Sequence, residues 1–394
     1  MKEINPKFRE HEEYRRAVRE LCAGFDSQYW QKVEEAAGYP EAFIKALTDA
    51  GWLSALIPAE FGGAGLSLTE ASVILEEINR SGANSGACHA QMYVMGTLLR
   101  HGSEDQKKRY LPLLAEGKLR LQSFAVTEPN AGTDTTKLKT FAEKKGDRYI
   151  VNGQKVWISR VQHSDLMILL ARTTPIAEVK KKTDGLSVFL VDLRASGLIG
   201  NEGKGISLRP IRNMVNHETN ELFFDNFEIP AESLIGEEGK GFRYILDGMN
   251  AERILIAAEC VGDGFWFIER ATKYANERIV FDRPIGQNQG IQFPIAKAYA
   301  NVRAADLMRY EAARLFEAHE PCGAEANMAK MLAAEASWEA ANVCLQTHGG
   351  FGFAAEYDVE RKFRETRLYQ VAPISTNLIL SYLGEHVLGM PRSF

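Results

Sequence analysis

Only five cysteines occur in 394 residues (Cys22, Cys88, Cys260, Cys322 and Cys344), with no C-x-x-C pair and no metal-ligand spacing to a histidine. No spacing suggests a cysteine-based metal site, and the thiols read as buried or indifferent groups in a reducing compartment. No apolar run approaches the roughly 20 residues that span a bilayer. Residues 1–16, MKEINPKFREHEEYRR, lack the apolar core of a secretory signal. The longest basic run is Lys180-Lys181-Lys182 and the net charge is −5, so there is no electrostatic footprint for nucleic acid or an acidic membrane. Internal repeats and low-complexity segments are absent too. What is present, 45% apolar and 25% charged residues, suits a cytoplasmic globular protein of two or three domains.

The hydrophobic period divides the chain into three. Residues 10–116 read as helices, with an amphipathic series through Tyr14, Val18 and Leu21 and a second helix opened by Pro40. Turn formers at 57–65 interrupt them, and further helices follow at 68–81, 87–101 and 104–116. From residue 121 to 230 the period becomes two. Runs at 121–126, 148–153, 166–171, 186–191 and 220–225 read as short strands, Asn152-Gly153 as a tight turn, and the whole as a compact barrel or sandwich. From residue 241 the helical period returns, with long helices at 242–278, 292–317, 324–348 and 375–388, lengths that suit an antiparallel four-helix bundle. The expected domains are therefore 1–120, helical; 121–232, β; and 233–394, a bundle.

One loop stands out within the β region. Residues 130–134 (Asn-Ala-Gly-Thr-Asp) follow the strand at 121–126. Such small residues let backbone N–H groups approach a ligand, with Gly132 free to take dihedrals closed to other residues.

Four stretches in order, VTEPNAGTD (126–134), NGQKVWIS (152–159), ERIVFDRPIGQNQ (277–289) and QTHGGFGF (346–353), resemble the acyl-CoA dehydrogenase flavoproteins over nearly the whole chain. The resemblance implies a helical domain, a small β-barrel and a four-helix bundle, with FAD as cofactor and no metal. It implies that Phe124, Val126 and Thr127 line the flavin ring, that Trp157 stacks near it, that Ser159 bonds the N5 region, and that Thr133 and Ile158 also belong to the cofactor site. Arg278, Phe281 and Gln289 would reach the FAD of a neighbouring subunit, and Gln346, Gly349, Gly350, Ser375 and Asn377 would hold the adenosine end. A site completed across subunits implies a homotetramer. The implied substrate is an acyl-CoA thioester, dehydrogenated to the trans-2-enoyl-CoA, and the implied acceptor is an electron-transfer flavoprotein.

Such a reaction needs a base for the α-proton. Many members carry it as the glutamate of a Tyr-Glu-Gly triplet before the last helix, where this chain has Pro373 in YQVAPIS (369–375). The isovaleryl and long-chain branches carry the base earlier, at the position of Glu252 in NAERILIA (250–257). Glu252 is therefore the expected base, with Asn250, Arg253 and Thr133 near the substrate. Proline has no N–H to offer the thioester carbonyl, so a neighbouring N–H, the flavin ribityl hydroxyl or a shifted backbone would supply that contact. Two other readings belong to the same scaffold: a flavin-dependent oxidase or monooxygenase, and a non-catalytic binding relative, which would bring a basic surface or an added domain.

Overall fold

The structure is a computed structural model that describes residues 11–198 and 201–392. Residues 1–10, 199–200 and 393–394, which fall within the expected domains and include most of the charged N-terminal stretch, lie outside the described residues. Six helices come first: α1 (Glu12–Cys22), α2 (Ser27–Glu35), α3 (Glu41–Asp49), α4 (Leu68–Arg80), α5 (His89–His101) and α6 (Glu104–Ala115). Ser67 with Glu70 and Ser103 with Gln106 form reciprocal capping boxes that start α4 and α6. Next come strands β1 (Leu121–Ala125), β2 (Phe141–Lys145), β3 (Arg148–Ser159), β4 (Leu166–Arg172), β5 (Leu186–Asp192), β6 (Glu202–Gly203), β7 (Ile206–Pro210), β8 (Thr219–Pro230) and β9 (Leu234–Ile235). Helix α7 (Gly241–Glu277) follows, then the hairpin of β10 (Ile279–Val280) and β11 (Arg283–Pro284), and helices α8 (Gln289–Glu317), α9 (Gly323–His348), α10 (Val359–Arg367) and α11 (Thr376–Tyr382). The protein is mainly helical with a sheet domain, as expected. Among the described residues, no helix is long and apolar enough to cross a membrane.

The chain forms two compact units. One comprises Ile44–Leu66 and Gly86–Met249; the other comprises Met1–Phe43, Ser67–Ser85 and Asn250–Phe394. The first contains the sheet, in the order β6-β7-β8-β3-β2-β4-β5-β9, with β1 also on β4. Pairing is antiparallel except for β1 and β2 against β4. Strands β4 and β5 are buried on both faces: Leu166, Ile168, Leu170 and Val188 meet Val94, Leu98, Leu111 and Leu114 of α5 and α6, while Met167, Leu169 and Phe189 meet Tyr149, Val151 and Leu222. Double burial explains why these two strands read as continuous apolar runs.

Asn152-Gly153 is not a turn. Strand β3 runs through it, Asn152 pairs with Phe141, and a Cβ on Gly153 would meet the Thr140 Cα at 2.6 Å. The glycine serves close strand approach, and the reversal occurs instead at Gly146, with φ 63°. The expected strand at 220–225 extends to Thr219–Pro230, and β2 and β7, hidden by polar and charged residues, were not marked by the period.

The second unit packs its helices around buried charge as well as apolar faces. Arg15 Nη1 and Nη2 donate to Glu76 at 2.8 and 2.9 Å; Arg309 donates to Ser72 at 2.6 Å and to Glu76 at 3.0 Å. Helix α10, VERKFRETR, escaped the periodic reading because Arg361, Lys362 and Glu365 are themselves the buried face. Arg361 bonds Asp358 at 2.7 Å and Glu365 at 2.6 Å, and Lys362 pairs with Asp263 at 2.6 Å. The expected helix at 375–388 is present as α11 continued by a wider π-helical segment over Leu383–Val387 that contains Gly384.

Candidate active site

In the sheet-containing unit, β1 delivers Phe124, whose ring meets Tyr93 of α5 edge-on at 6.5 Å. The following segment lies along β3, because the Val156 N–H donates to the Thr127 carbonyl at 3.0 Å. A slip in the β3–β8 register between Lys155 and Ile158 turns Trp157 outward. Trp157 is 58% exposed with φ 63°. A left-handed backbone under a bulky aromatic is costly, and such strain collects at ligand sites. Ser159 Oγ lies 3.0 Å from Thr219 Oγ1. Phe124, Val126, Thr127, Trp157 and Ser159 thus belong to two adjoining segments. Ile158 differs: its side chain is buried in the core, and its carbonyl accepts from the Asn220 Nδ2 at 3.3 Å. Thr133 is exposed in the loop, where Asp134 accepts the Thr136 hydroxyl at 2.6 Å. Gly132 has a negative φ and its nearest neighbour to an added Cβ is Thr127 Cγ2 at 3.8 Å, so the loop does not use the freedom expected of it.

In the helical unit, α7 carries Asn250, Glu252 and Arg253. Glu252 is 6% exposed and makes no hydrogen bond among the described residues. Burial pushes its carboxyl up to about 7, with Glu259 adding to the rise and Arg253 and Lys330 opposing it. The Arg253 Nη1 donates to Asn250 Oδ1 at 2.9 Å, Asn250 Nδ2 lies 3.6 Å from Cys322 Sγ, and Arg253 Nε has no partner among the described residues. Two groups missed by sequence reasoning organise the far side. Lys330 of α9, fully buried, donates to the carbonyls of Tyr369 at 2.5 Å and Ile374 at 2.7 Å, spanning the loop that contains Pro373. The Tyr369 hydroxyl donates to Glu259 at 2.9 Å. Nothing in the local pattern of α9 distinguished Lys330 from an exposed helix lysine.

The remaining expected residues are surface groups of this unit. Arg278, Gln289, Gln346, Gly349, Gly350 and Asn377 are exposed. Phe281, at the tip of the β10–β11 hairpin, is 93% exposed with φ 51°. Arg278 makes no ion pair among the described residues and lies 5.8 Å from the Phe351 ring. No heavy atom lies within 4 Å of a Cβ built on Gly349 or Gly350, so the backbone there is open to a ligand. Ser375 is engaged as the N-cap of α11, accepting the Leu378 N–H at 3.4 Å.

Family comparisons match three successive regions: acyl-CoA dehydrogenase, N-terminal domain, at 9–118; middle domain, at 123–227; and C-terminal domain, at 239–386. The chain belongs to the acyl-CoA dehydrogenase family. Its similarity to the acyl-CoA dehydrogenase fadE12 of Mycobacterium bovis is 34% identity over 391 residues, 98% of this chain and 97% of the relative. Among solved structures, the glutaryl-coenzyme A dehydrogenase complex with glutaryl-CoA matches with a TM-score of 0.88 and 30% identity, covering 99% of this chain and 97% of the other. A structure described as the electron transferring flavoprotein of Acidaminococcus fermentans matches with a TM-score of 0.88 and 27% identity, covering 98% and 99%. This acyl-CoA dehydrogenase is therefore an oxidoreductase and an FAD flavoprotein. Its residues fit that cofactor: a strained, outward tryptophan beside a backbone-rich loop, and an unpaired exposed arginine beside an open Gly-Gly turn, offer stacking, amide and cationic groups in the kinds a dinucleotide requires.

Proposed function

We propose that this acyl-CoA dehydrogenase converts an acyl-CoA thioester to its trans-2-enoyl-CoA, with Glu252 taking the α-proton. The carrying observation is the Glu252 carboxyl itself: buried on α7, free of hydrogen bonds among the described residues, and pushed up to about 7. A base whose value lies near the working pH is both available and strong enough to accept a carbon-bound proton. Pro373 leaves no carboxylate at the other position used in the family. Bound FAD supplies the hydride acceptor at N5. Arg253, tied to Asn250, keeps a cation beside the carboxyl and limits the rise caused by burial, and with Thr133 and Asn250 is our candidate for thioester and pantetheine contacts. Phe124, Val126, Thr127, Trp157 and Ser159 are our candidates for the flavin ring, with Ile158 contributing backbone only.

We further infer a homotetramer in which Arg278, Phe281 and Gln289 serve a neighbour's FAD, while Gln346, Gly349, Gly350, Ser375 and Asn377 serve the adenosine end. An aromatic as exposed as Phe281, held in a strained backbone, supports a partner that covers it. An acceptor of the electron transferring flavoprotein kind is our reading of the partner, in keeping with a solved structure described by that name in which one chain matches this one over nearly its whole length. Five buried free thiols support a reducing, cytoplasmic setting. Three functional regions, 1–120, 121–232 and 233–394, complete the proposal.

The test is anaerobic mixing of Glu252→Gln with a panel of acyl-CoA thioesters. Flavin bleaching is expected in the wild type and absent in the variant, with FAD still bound. Normal bleaching by the variant removes Glu252 from the mechanism, and rapid oxygen consumption by the wild type without an acceptor protein would favour an oxidase.

A further inference from the structure

Lys155 occupies an inward position of β3, where strand alternation calls for an apolar residue. Its side chain is fully buried, and Nζ donates to the Val126 carbonyl at 2.9 Å and to Glu128 Oε1 at 2.9 Å. Glu128 is itself fixed by the N–H groups of Lys139 at 2.6 Å and Thr140 at 2.9 Å. The Val156 N–H, next along β3, holds the Thr127 carbonyl at 3.0 Å. One lysine thus ties the Val126–Thr127 segment to the strand that carries Trp157 and Ser159.

The oxygen that Lys155 binds belongs to the same peptide group as the Thr127 N–H. Donation to a peptide oxygen polarises that peptide and strengthens the bond its N–H can give. A buried cation acts in a low-dielectric setting, so its field on a nearby ligand is large compared with that of a surface lysine. Burial lowers Lys155 to about 8, which leaves it a cation at neutral pH. Burial pushes the Glu128 carboxyl up, but Lys155 and the surrounding donors hold it below its ordinary value. As a mere stability device such a pair is weak, because buried ion pairs often do no better than apolar side chains of the same volume.

We propose that Lys155 is a positioning residue for the flavin, setting the Val126–Thr127 peptide as a polarised donor to the pyrimidine edge and favouring the negative charge that reduction adds there, with Glu128 moderating it. This rests on the reading that Val126 and Thr127 meet the flavin. Lys155 acts through the peptide and needs no contact with substrate.

The test compares Lys155→Met, Lys155→Arg, Glu128→Gln and Thr127→Val by two readouts: the FAD dissociation constant of the apoprotein and the midpoint potential of the bound flavin. Lys155→Met is expected to bind reduced flavin at least tenfold worse relative to oxidised flavin, a fall of about 30 mV for a two-electron couple. Glu128→Gln is expected to move the potential the opposite way, and Lys155→Arg to stay near wild type. Shifts of the same sign in Lys155→Met and Glu128→Gln, or no shift in either, overturn the proposal, since a purely structural pair has no reason to give opposite signs. Should Lys155→Met fail to fold, the double variant Lys155→Met/Glu128→Gln removes the pair without stranding a buried carboxylate. Its potential is expected below that of Lys155→Arg, and equality overturns the proposal. Thr127→Val separates the two layers. That variant removes the hydroxyl and keeps the peptide N–H: weakened FAD binding there with unshifted potentials in the charge variants defeats the role of Lys155 alone, whereas FAD binding unchanged in all four variants defeats the flavin placement and the proposal with it.

Discussion

Replacing Glu252 with glutamine is expected to stop proton abstraction and, at the same time, to make the fold more stable above neutral pH. Burial raises this carboxyl from its ordinary 4.5 to about 7. Between those values the unfolded chain is ionised while the native state keeps its proton, so the native state binds more protons and stability falls as pH rises. The loss is absent below pH 4.5 and complete above pH 7. At 1.36 kcal/mol per pH unit it amounts to about 3 kcal/mol. Glutamine has nearly the same shape and cannot ionise, so the variant escapes the whole penalty. Urea unfolding at pH 5 and pH 8 reads this directly: the variant's midpoint should rise above wild type at pH 8 and nearly coincide with it at pH 5. An equal shift at both pH values, or none at pH 8, would refute the claim that desolvation sets the carboxyl.

Three further outcomes follow from the same geometry. Lys330→Met removes a cation that opposes the rise of Glu252, so the half-maximal point of the kcat/KM pH profile should move above its wild-type value near 7; an unmoved profile would separate Lys330 from the base. Arg278→Ala and Phe281→Ala should weaken FAD binding and shift the sedimentation profile away from a tetramer, and a variant normal in both contradicts the cross-subunit reading. Arg15→Met leaves Glu76 and Glu77 short of a partner in the core and should cost about 3–5 kcal/mol in denaturant titration; a loss below about 1 kcal/mol would show that the remaining cations suffice.

The helices with apolar stripes and the doubly buried strands β4 and β5 were legible because burial there is paid in ordinary hydrophobic currency. Helix α10 was not, since its buried face is Arg361, Lys362 and Glu365 and its period is written in charge. Asn152-Gly153 misled for a related reason: local turn chemistry was overridden by the approach of Thr140. At the site, Glu252 could be singled out only by position in the family pattern, and its burial became visible only with the neighbouring elements in place. Lys155 and Glu128 lay inside motifs already in view. The signal is a lysine at an inward register of a strand, and it was not legible because a lysine in a strand is most simply read as solvent-facing.

The way the two units share the chain bears on how the protein is made. The polypeptide passes between them four times, at residues 43–44, 66–67, 85–86 and 249–250. The sheet-containing unit can complete itself once residue 249 has been synthesised. The other cannot: Arg15 and Glu76 wait for Arg309, and Asp263 waits for Lys362. During translation the first helices pair Arg15 with Glu76 and Glu77 but lack the Arg309 that completes the cluster in the folded core, a state prone to chaperone capture. Cutting the gene at the borders of the three regions would yield fragments that correspond to neither compact unit, and a split of the chain that preserves folding has to respect the weave, not the order of motifs.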